Sequence, residues 1–330
     1  ALGFAVYGDQ LWVAAGTYKP TTGTDRTVSF QLKEGVELYG GFAGGETELS
    51  QRNWQKNPTI LSGNIGVAED NTDNSYHVLT AIATELSPIS NPSIIDGFII
   101  EDGYASLSSN SNNRGGGLYL SYASPLIRNT WFRDNYVTYG GGAVYGSSSS
   151  ALFANVLFNN NSAVNYGGAI FLTGSPMKFY SCLFYGNNAG YWGAAVYSNN
   201  SSSGTEVVNS IAWNNNALQG NSQFQNLNVQ QSIVQGGYSG TGNLNLDPLF
   251  IDAENGDFRL SINSPALEAG KVELLPEWLT TDYAGKPRIT EGKTNMGVYE
   301  GKVISPILTS PEDLTLFNSD ITEVELSWQK

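Results

Sequence analysis

Hydrophobic residues in this chain come in short runs, each closed by Gly, Asn or Ser. Between residues 115 and 216 the runs fall on a fixed step. Gly115-Gly116-Gly117-Leu118-Tyr119 returns 26 residues later as Gly141-Gly142-Ala143-Val144-Tyr145. It returns again as Gly167-Gly168-Ala169-Ile170-Phe171 and as Gly193-Ala194-Ala195-Val196-Tyr197. Phe132-Arg133-Asp134-Asn135 keeps the same step through Phe158-Asn159-Asn160-Asn161 and Phe184-Tyr185-Gly186-Asn187, then drifts to Ala212-Trp213-Asn214-Asn215. A period of roughly 20–50 residues marks a solenoid, a propeller or another array. Each copy carries short β-prone stretches, such as Ala169-Ile170-Phe171-Leu172 and Met177-Lys178-Phe179-Tyr180, separated by turn residues. The 3.6-residue periodicity of a helical repeat is absent, and a propeller blade needs about 40 residues.

The pattern therefore predicts an all-β chain, a right-handed parallel β-helix whose regular coils take about 26 residues each, with a C-terminal cap. Stacking at about 4.8 Å per coil puts equivalent residues on top of one another. Asn135, Asn161, Asn187 and Asn215 should form an amide ladder, and Phe132, Phe158 and Phe184 an internal column. Thr130, Val156 and Cys182, two residues earlier, share that inward face, so Cys182 reads as a core residue. Trp131, Leu157, Leu183 and Ile211 are out of phase with the Phe column and should face away from the core. The paired glycines read as tight turns.

The helix is expected over residues 1–304, as roughly ten coils forming a rod near 50 Å. Residues 1–93 form irregular opening coils, including strands in Leu11–Ala15, Val28–Leu32, Val36–Phe42 and Thr59–Gly63, with a polar excursion from Glu46 to Pro58. Residues 94–246 form regular coils, with Ser/Asn-rich loops at 105–114 and 199–204. Residues 247–304, where Pro and charge return, form closing coils and a cap, because an open solenoid end would template aggregation. Residues 305–330 read as a linker and the start of a truncated Ig- or fibronectin-like domain, with strands at Leu314–Leu316 and Val324–Trp328.

Composition narrows the function. The 330 residues carry a formal net charge of −14 and no basic run. That excludes the basic face a nucleic-acid binder needs and disfavours an anionic membrane surface. No apolar run approaches the roughly 18 residues of a membrane span. The single cysteine rules out an intramolecular disulfide.

FxxN (Phe132–Asn135, Phe158–Asn161, Phe184–Asn187) paired with GGA and an aliphatic residue (Gly141–Val144, Gly167–Ile170) resembles the polymorphic outer-membrane protein family of autotransported β-helical adhesins. The ends are similar to a broader group of large secreted bacterial β-helix proteins. Leu11-Trp12-Val13-Ala14-Ala15-Gly16-Thr17-Tyr18 resembles their opening coil. The stretch from Asp247-Pro248-Leu249-Phe250 through Asp282-Tyr283-Ala284-Gly285-Lys286-Pro287-Arg288 to Met296-Gly297-Val298-Tyr299-Glu300 resembles their closing module. The resemblance implies an extracellular or cell-surface, outer-membrane-associated location. Its implied partners are polysaccharides or surface glycans, other surface proteins, and further domains of the same chain. The wider group also contains polysaccharide lyases, and fold alone does not choose between these activities.

A lyase needs a base beside the uronate and a cation for its carboxylate; a hydrolase needs two carboxylates across the bond. Residues 135–246 hold one acid, Glu206, and one base, Lys178. Catalysis would therefore have to use residues 64–133 or the C-terminal cap; the first candidate cluster is Asp96, Glu101, Asp102, Arg114, Arg128 and Arg133, with Asp96, Asp102 and Arg133 as the catalytic candidates. Asp96 should lie near Asn129, and Asp102 near Asn135. Asp96, Glu101 and Asp102 are also the candidate calcium ligands, and no other cofactor is expected. Asp70, Asp73 and His77 form a second polar group, in which a lone His beside Tyr76 and Val78 reads as structural. The binding candidates are the columns Tyr119, Tyr145, Phe171 and Tyr197, and that of Trp131, as platforms for sugar rings. The preferred reading is a non-catalytic adhesin or glycan-binding module of a larger surface protein. The rivals are a β-helical polysaccharide lyase or glycoside hydrolase, and a structural spacer.

Overall fold

In the computed structural model, residues 1–89, 93–107, 111–199, 204–219, 222–301, 307–310 and 327–329 are described. Short strands stack in parallel sheets around one axis, as a right-handed parallel β-helix. The first sheet has eight strands, from Gln10–Ala14 through Ile94–Asp96 and Leu126–Arg128 to Asn228–Gln230. The second also has eight, from Gly16–Tyr18 through Trp131–Arg133 to Ile233–Val234. The third has seven, from Phe30–Gln31 through Leu118–Ser121 to Phe224–Gln225. Five two-residue strands, Tyr104–Ala105 to Asn216–Ala217, form a minor sheet between the second and third. The described rungs number eight in each of the first two sheets, fewer than the ten expected.

The register is that of the repeat. Phe158 pairs with Phe132 and Phe184, and Ile170 with Val144 and Val196. Two tight corners per coil explain the Asn content. At the first, Asn129, Asn155, Ser181 and Asn209 have φ near +50°; at the second, Asp134, Asn160, Gly186 and Asn214 do the same work. Asn, Asp and Gly tolerate that left-handed conformation best. The third position of FxxN is thus the corner residue. The fourth turns inward, where Asn135 Nδ2 donates to Asn161 Oδ1 at 3.0 Å, Asn161 to Asn187 at 3.0 Å, and Asn187 to Asn215 at 2.7 Å. Gly167 lies at φ +60°, and a Cβ there would run into the carbonyl oxygen of Ile170.

The Phe column stacks as expected, with ring centroids 5.4 and 4.9 Å apart. Thr130, Val156 and Cys182 are buried beside it. Burial pushes the Cys182 thiol up to about 12.

Residues 247–301 contribute no strand to the parallel sheets. They form an antiparallel hairpin (Phe250–Asp252 with Asp257–Leu260) and turns that run along the flank of the helix. The segment expected to supply closing coils and a wrapping cap thus packs along the side of the helix. Trp54 Nε1 donates to Tyr283 O at 2.9 Å, Asn155 Nδ2 to Thr281 O at 2.8 Å, and Gly297 N to Asn209 O at 2.7 Å. Beyond 301, Ile307–Ser310 and Ser327–Gln329 pair antiparallel. The expected strand Leu314–Leu316 lies outside the described residues, as do 324–326.

Candidate functional site

The outward face of the third sheet is aromatic. Leu118 and Leu120 point into the core, so Tyr119 between them points out, as do its equivalents Tyr145, Phe171 and Tyr197. Successive ring centroids lie 5.1, 5.5 and 5.6 Å apart, tilted by 31–42°. Rings stacked along the axis spend their faces on each other and turn their edges outward. The column is therefore not the flat platform the sequence implied. Its middle is also covered: Tyr145 and Phe171 are 4% and 2% exposed, with Tyr139 and Tyr166 packed against Phe171. Arg114 sits 4.4 Å from the Tyr139 ring centroid and 5.2 Å from that of Tyr145.

The wall opens at its C-terminal end. Trp192 stacks on Tyr166 at 5.7 Å and on Tyr197 at 6.4 Å, with Tyr191 beside it at 6.2 Å. Trp192 and Tyr191 are 39% and 38% exposed. The corner where Trp192 stands carries Arg114, Gly140 and Tyr166 in the other coils, so an aromatic recurs there in only two of four coils and gives a weak repeat signal. Residues 108–110 and 200–203 of the two Ser/Asn-rich loops lie outside the described residues.

The Trp131 column faces away from the main core, as its phase required, but it is not open. Leu157, Leu183, Ile211 and Ile233 form a second core with Phe258, Leu260, Tyr283, Met296 and Val298 of the flanking segment. Trp131 itself is half-buried, edge-on to Phe258 at 6.2 Å. The chain covers this platform with its own C-terminal part.

Arg114 stands apart at the aromatic wall, and the rest of the charged cluster divides between two corners. At the first, Asp96 is fully buried and takes Arg52 Nη2 at 2.6 Å, Arg128 Nε at 2.6 Å and Asn129 Nδ2 at 3.0 Å. At the second, Glu101 takes Arg133 Nε at 2.7 Å, and Asp102 accepts from the Ser62 hydroxyl at 2.8 Å. Burial pushes the Glu101 and Asp134 carboxyls up. The catalytic candidates Asp96, Asp102 and Arg133 are thus engaged in separate local networks, and the candidate calcium set is split in the same way. Among the described residues no three His, Cys, Asp or Glu side chains gather as a metal cage. Between residues 135 and 246, the one base and the one acid, Lys178 and Glu206, meet each other at 3.2 Å.

His77 is buried, with Nδ1 3.0 Å from Gly115 O and its ring 5.1 Å from Tyr119. Burial pulls its pKa down. Asp70 and Asp73 are occupied by the backbone N–H groups of Thr72 and Val67.

A cleft of about 420 Å³ opens beside Asp96, between the 46–58 excursion and the flanking segment. Arg52, Trp54, Arg128, Trp278 and Thr280 are among its lining residues. Arg52, Trp54 and Trp278 carry no repeat signal, and they come from the two segments where charge and Pro interrupt the repeat.

Together these features define a parallel β-helix with one aromatic outward face, one face covered by its own chain, and a charged corner between them. The sequence profile of the Chlamydia polymorphic membrane protein repeat matches residues 155–173. That stretch holds one FxxN corner and the following GGA strand, and the parallel β-helix around it fits a repeat of that kind. No curated protein matches the chain.

Proposed function

We propose that this chain is the glycan-binding module of a surface-displayed adhesin, holding ligand without cleaving it. One observation carries the reading: the third-sheet wall ends in three neighbouring rings, Tyr191, Trp192 and Tyr197, two of them well exposed. Exposed aromatics grouped on a rigid scaffold stack against the apolar faces of sugar rings, and exposed apolar surface on a folded chain marks an interaction site. Two further points support it. The acids and bases that a lyase or hydrolase would need are held in separate local networks, Asp96 and Arg133 by ion pairs and Asp102 by the Ser62 hydroxyl. The likeness to the polymorphic membrane protein repeat supports display at a bacterial outer surface.

The test is electrophoresis through gels containing neutral and acidic polysaccharides, with and without calcium, while reducing and unsaturated ends are followed. Retardation without product, lost in Trp192→Ala and Tyr191→Ala, is the expected result. Release of product overturns the non-catalytic reading. Retardation that survives both substitutions moves the site off the wall, and no retardation on any polysaccharide favours a spacer.

A further inference from the structure

The cleft at the first corner has the chemistry of an anion site. Three donors saturate the Asp96 carboxylate: Arg52, Arg128 and Asn129. Arg52 is fully committed to the fold. Its Nη1 donates to the Gly40 and Asp96 carbonyls at 3.1 Å each, and its guanidinium lies 5.1 Å from the Tyr39 ring and 4.8 Å from that of Trp54. Arg128 is different. Only its Nε is used, on Asp96. Among the described residues its two terminal nitrogens meet no partner, and its side chain is 27% exposed.

The charged lining is two arginines and one aspartate, so the cleft carries a surplus positive charge in a chain of net charge −14. Glu48 and Glu277, next to lining residues in sequence, do not line it. Trp278, 39% exposed, and the half-buried Trp54 both line it. The volume, about 420 Å³, lies within the ~300–1,000 Å³ of small-molecule sites.

We propose that this cleft binds a carboxylate-bearing sugar, a uronic or sialic acid residue, with Arg128 taking the carboxylate through its free terminal nitrogens and Trp278 stacking on the ring. A planar guanidinium fork matches a carboxylate better than any other cation in the chain. Asp96 acts as a positioning residue: it holds Arg128 by Nε and leaves the outer edge of the fork free. This site lies on the first sheet and does not depend on the third-sheet wall.

The experiment is calorimetric titration with tri-galacturonate, tri-mannuronate and sialyllactose, beside maltotriose and inorganic sulfate. The variants are Arg128→Gln, Trp278→Ala and Trp192→Ala, each checked for an unchanged melting temperature. Arg128→Gln leaves Asp96 paired with Arg52 and Asn129, and Trp278→Ala removes an exposed ring, so at least one of the two reports on a folded protein. At least one carboxylated sugar should bind, with added salt weakening it. Arg128→Gln should lower its affinity at least ~tenfold, the loss of a charge-assisted hydrogen bond. Trp278→Ala should also lower it, and Trp192→Ala should not. Absence of binding by all three carboxylated sugars overturns the proposal, as does equal binding of maltotriose or of sulfate. Loss of binding in Trp192→Ala alone moves the ligand to the wall and overturns it as well.

Discussion

Asn161 shows how a polar residue is made to belong in this core. It is fully buried, and its Nδ2 donates to Phe132 O at 3.0 Å and to Asn187 Oδ1 at 3.0 Å, while its Oδ1 receives Asn135 Nδ2. Every rung of the ladder hands its unsatisfied edge to the next, so the desolvation of each amide is offset by its neighbours. Asn161→Ala takes the Oδ1 acceptor from the Asn135 backbone N–H and the Nδ2 donor from Phe132 O and Asn187 Oδ1, while Asn135 Nδ2 keeps the Ile100 and Arg133 carbonyls. It should cost about 3 kcal/mol, the sum of one or two unsatisfied buried groups, read as a lower urea midpoint with an unchanged slope. His77 gives a residue-scale prediction of opposite dependence on conditions. Burial depresses its folded pKa below the ordinary histidine value of 6.5. The unfolded chain therefore binds the proton more readily, and stability is lost as pH falls from 6.5 toward the depressed folded value. The drop in melting temperature between pH 7 and 5 should be smaller in His77→Gln.

At the scale of elements, the flanking segment is a clamp built around one buried arginine. Arg288 donates to Gly297 O and Val298 O at 3.0 Å each, to Glu300 Oε1 at 2.9 Å, and to Asn155 Oδ1 on the helix. Asp282 accepts the backbone N–H groups of Lys286 and Glu300 at 2.7 Å each. The closing motif from Asp282 to Glu300 thus folds on itself, then lays Tyr283, Met296 and Val298 over Leu157, Leu183 and Ile211. Gly297 is the closest approach: φ is +91°, and a Cβ would stand 2.8 Å from Ile211 Cδ1. Gly297→Ala should cost about 1–3 kcal/mol, a left-handed site and an overpacked contact together. Limited proteolysis should cut after residue 246 sooner than in the wild type.

What was legible at this scale follows from physics. In a solenoid each residue's neighbour is its equivalent one period away, so a 26-residue step gives the sheets, the Phe column and the Asn ladder at once. The phase of Trp131 gave its outward direction, but nothing local shows what covers it. Arg288 with Asn155 and Trp54 with Tyr283 are single contacts across long stretches of chain, and no period announces them. The direction of the Tyr119 column cannot be read from the repeat for a different reason: Leu118, Tyr119 and Leu120 offer an apolar residue to both faces. Exposure at Trp192 and the cleft at Arg128 depend on which neighbours happen to be absent, which only the folded arrangement reveals.

For the whole molecule, the clamp changes how the solenoid should unfold. An array of stacked repeats is held by nearest-neighbour contacts, so its ends fray and its parts can melt separately. Here one segment is tied to Trp54 in an early coil, to Asn155 in the middle, and to Asn209 and Gln231 near the end of the regular series. Losing any of those coils loosens the clamp, and a loose clamp uncovers the apolar column on all the others. The wild type should therefore unfold as a single transition, with calorimetric and van't Hoff enthalpies in agreement, the signature of two-state behaviour. Arg288→Met with Asn155→Leu keeps the volume of that contact roughly constant but removes its hydrogen bonds. This pair should split the melt into an early step, accompanied by binding of a hydrophobic dye to the bared column, and a later, broader one. A wild type that already melts in stages would mean the clamp covers the column without coupling the coils. The rigidity of the third-sheet wall would then rest on its own stacking alone.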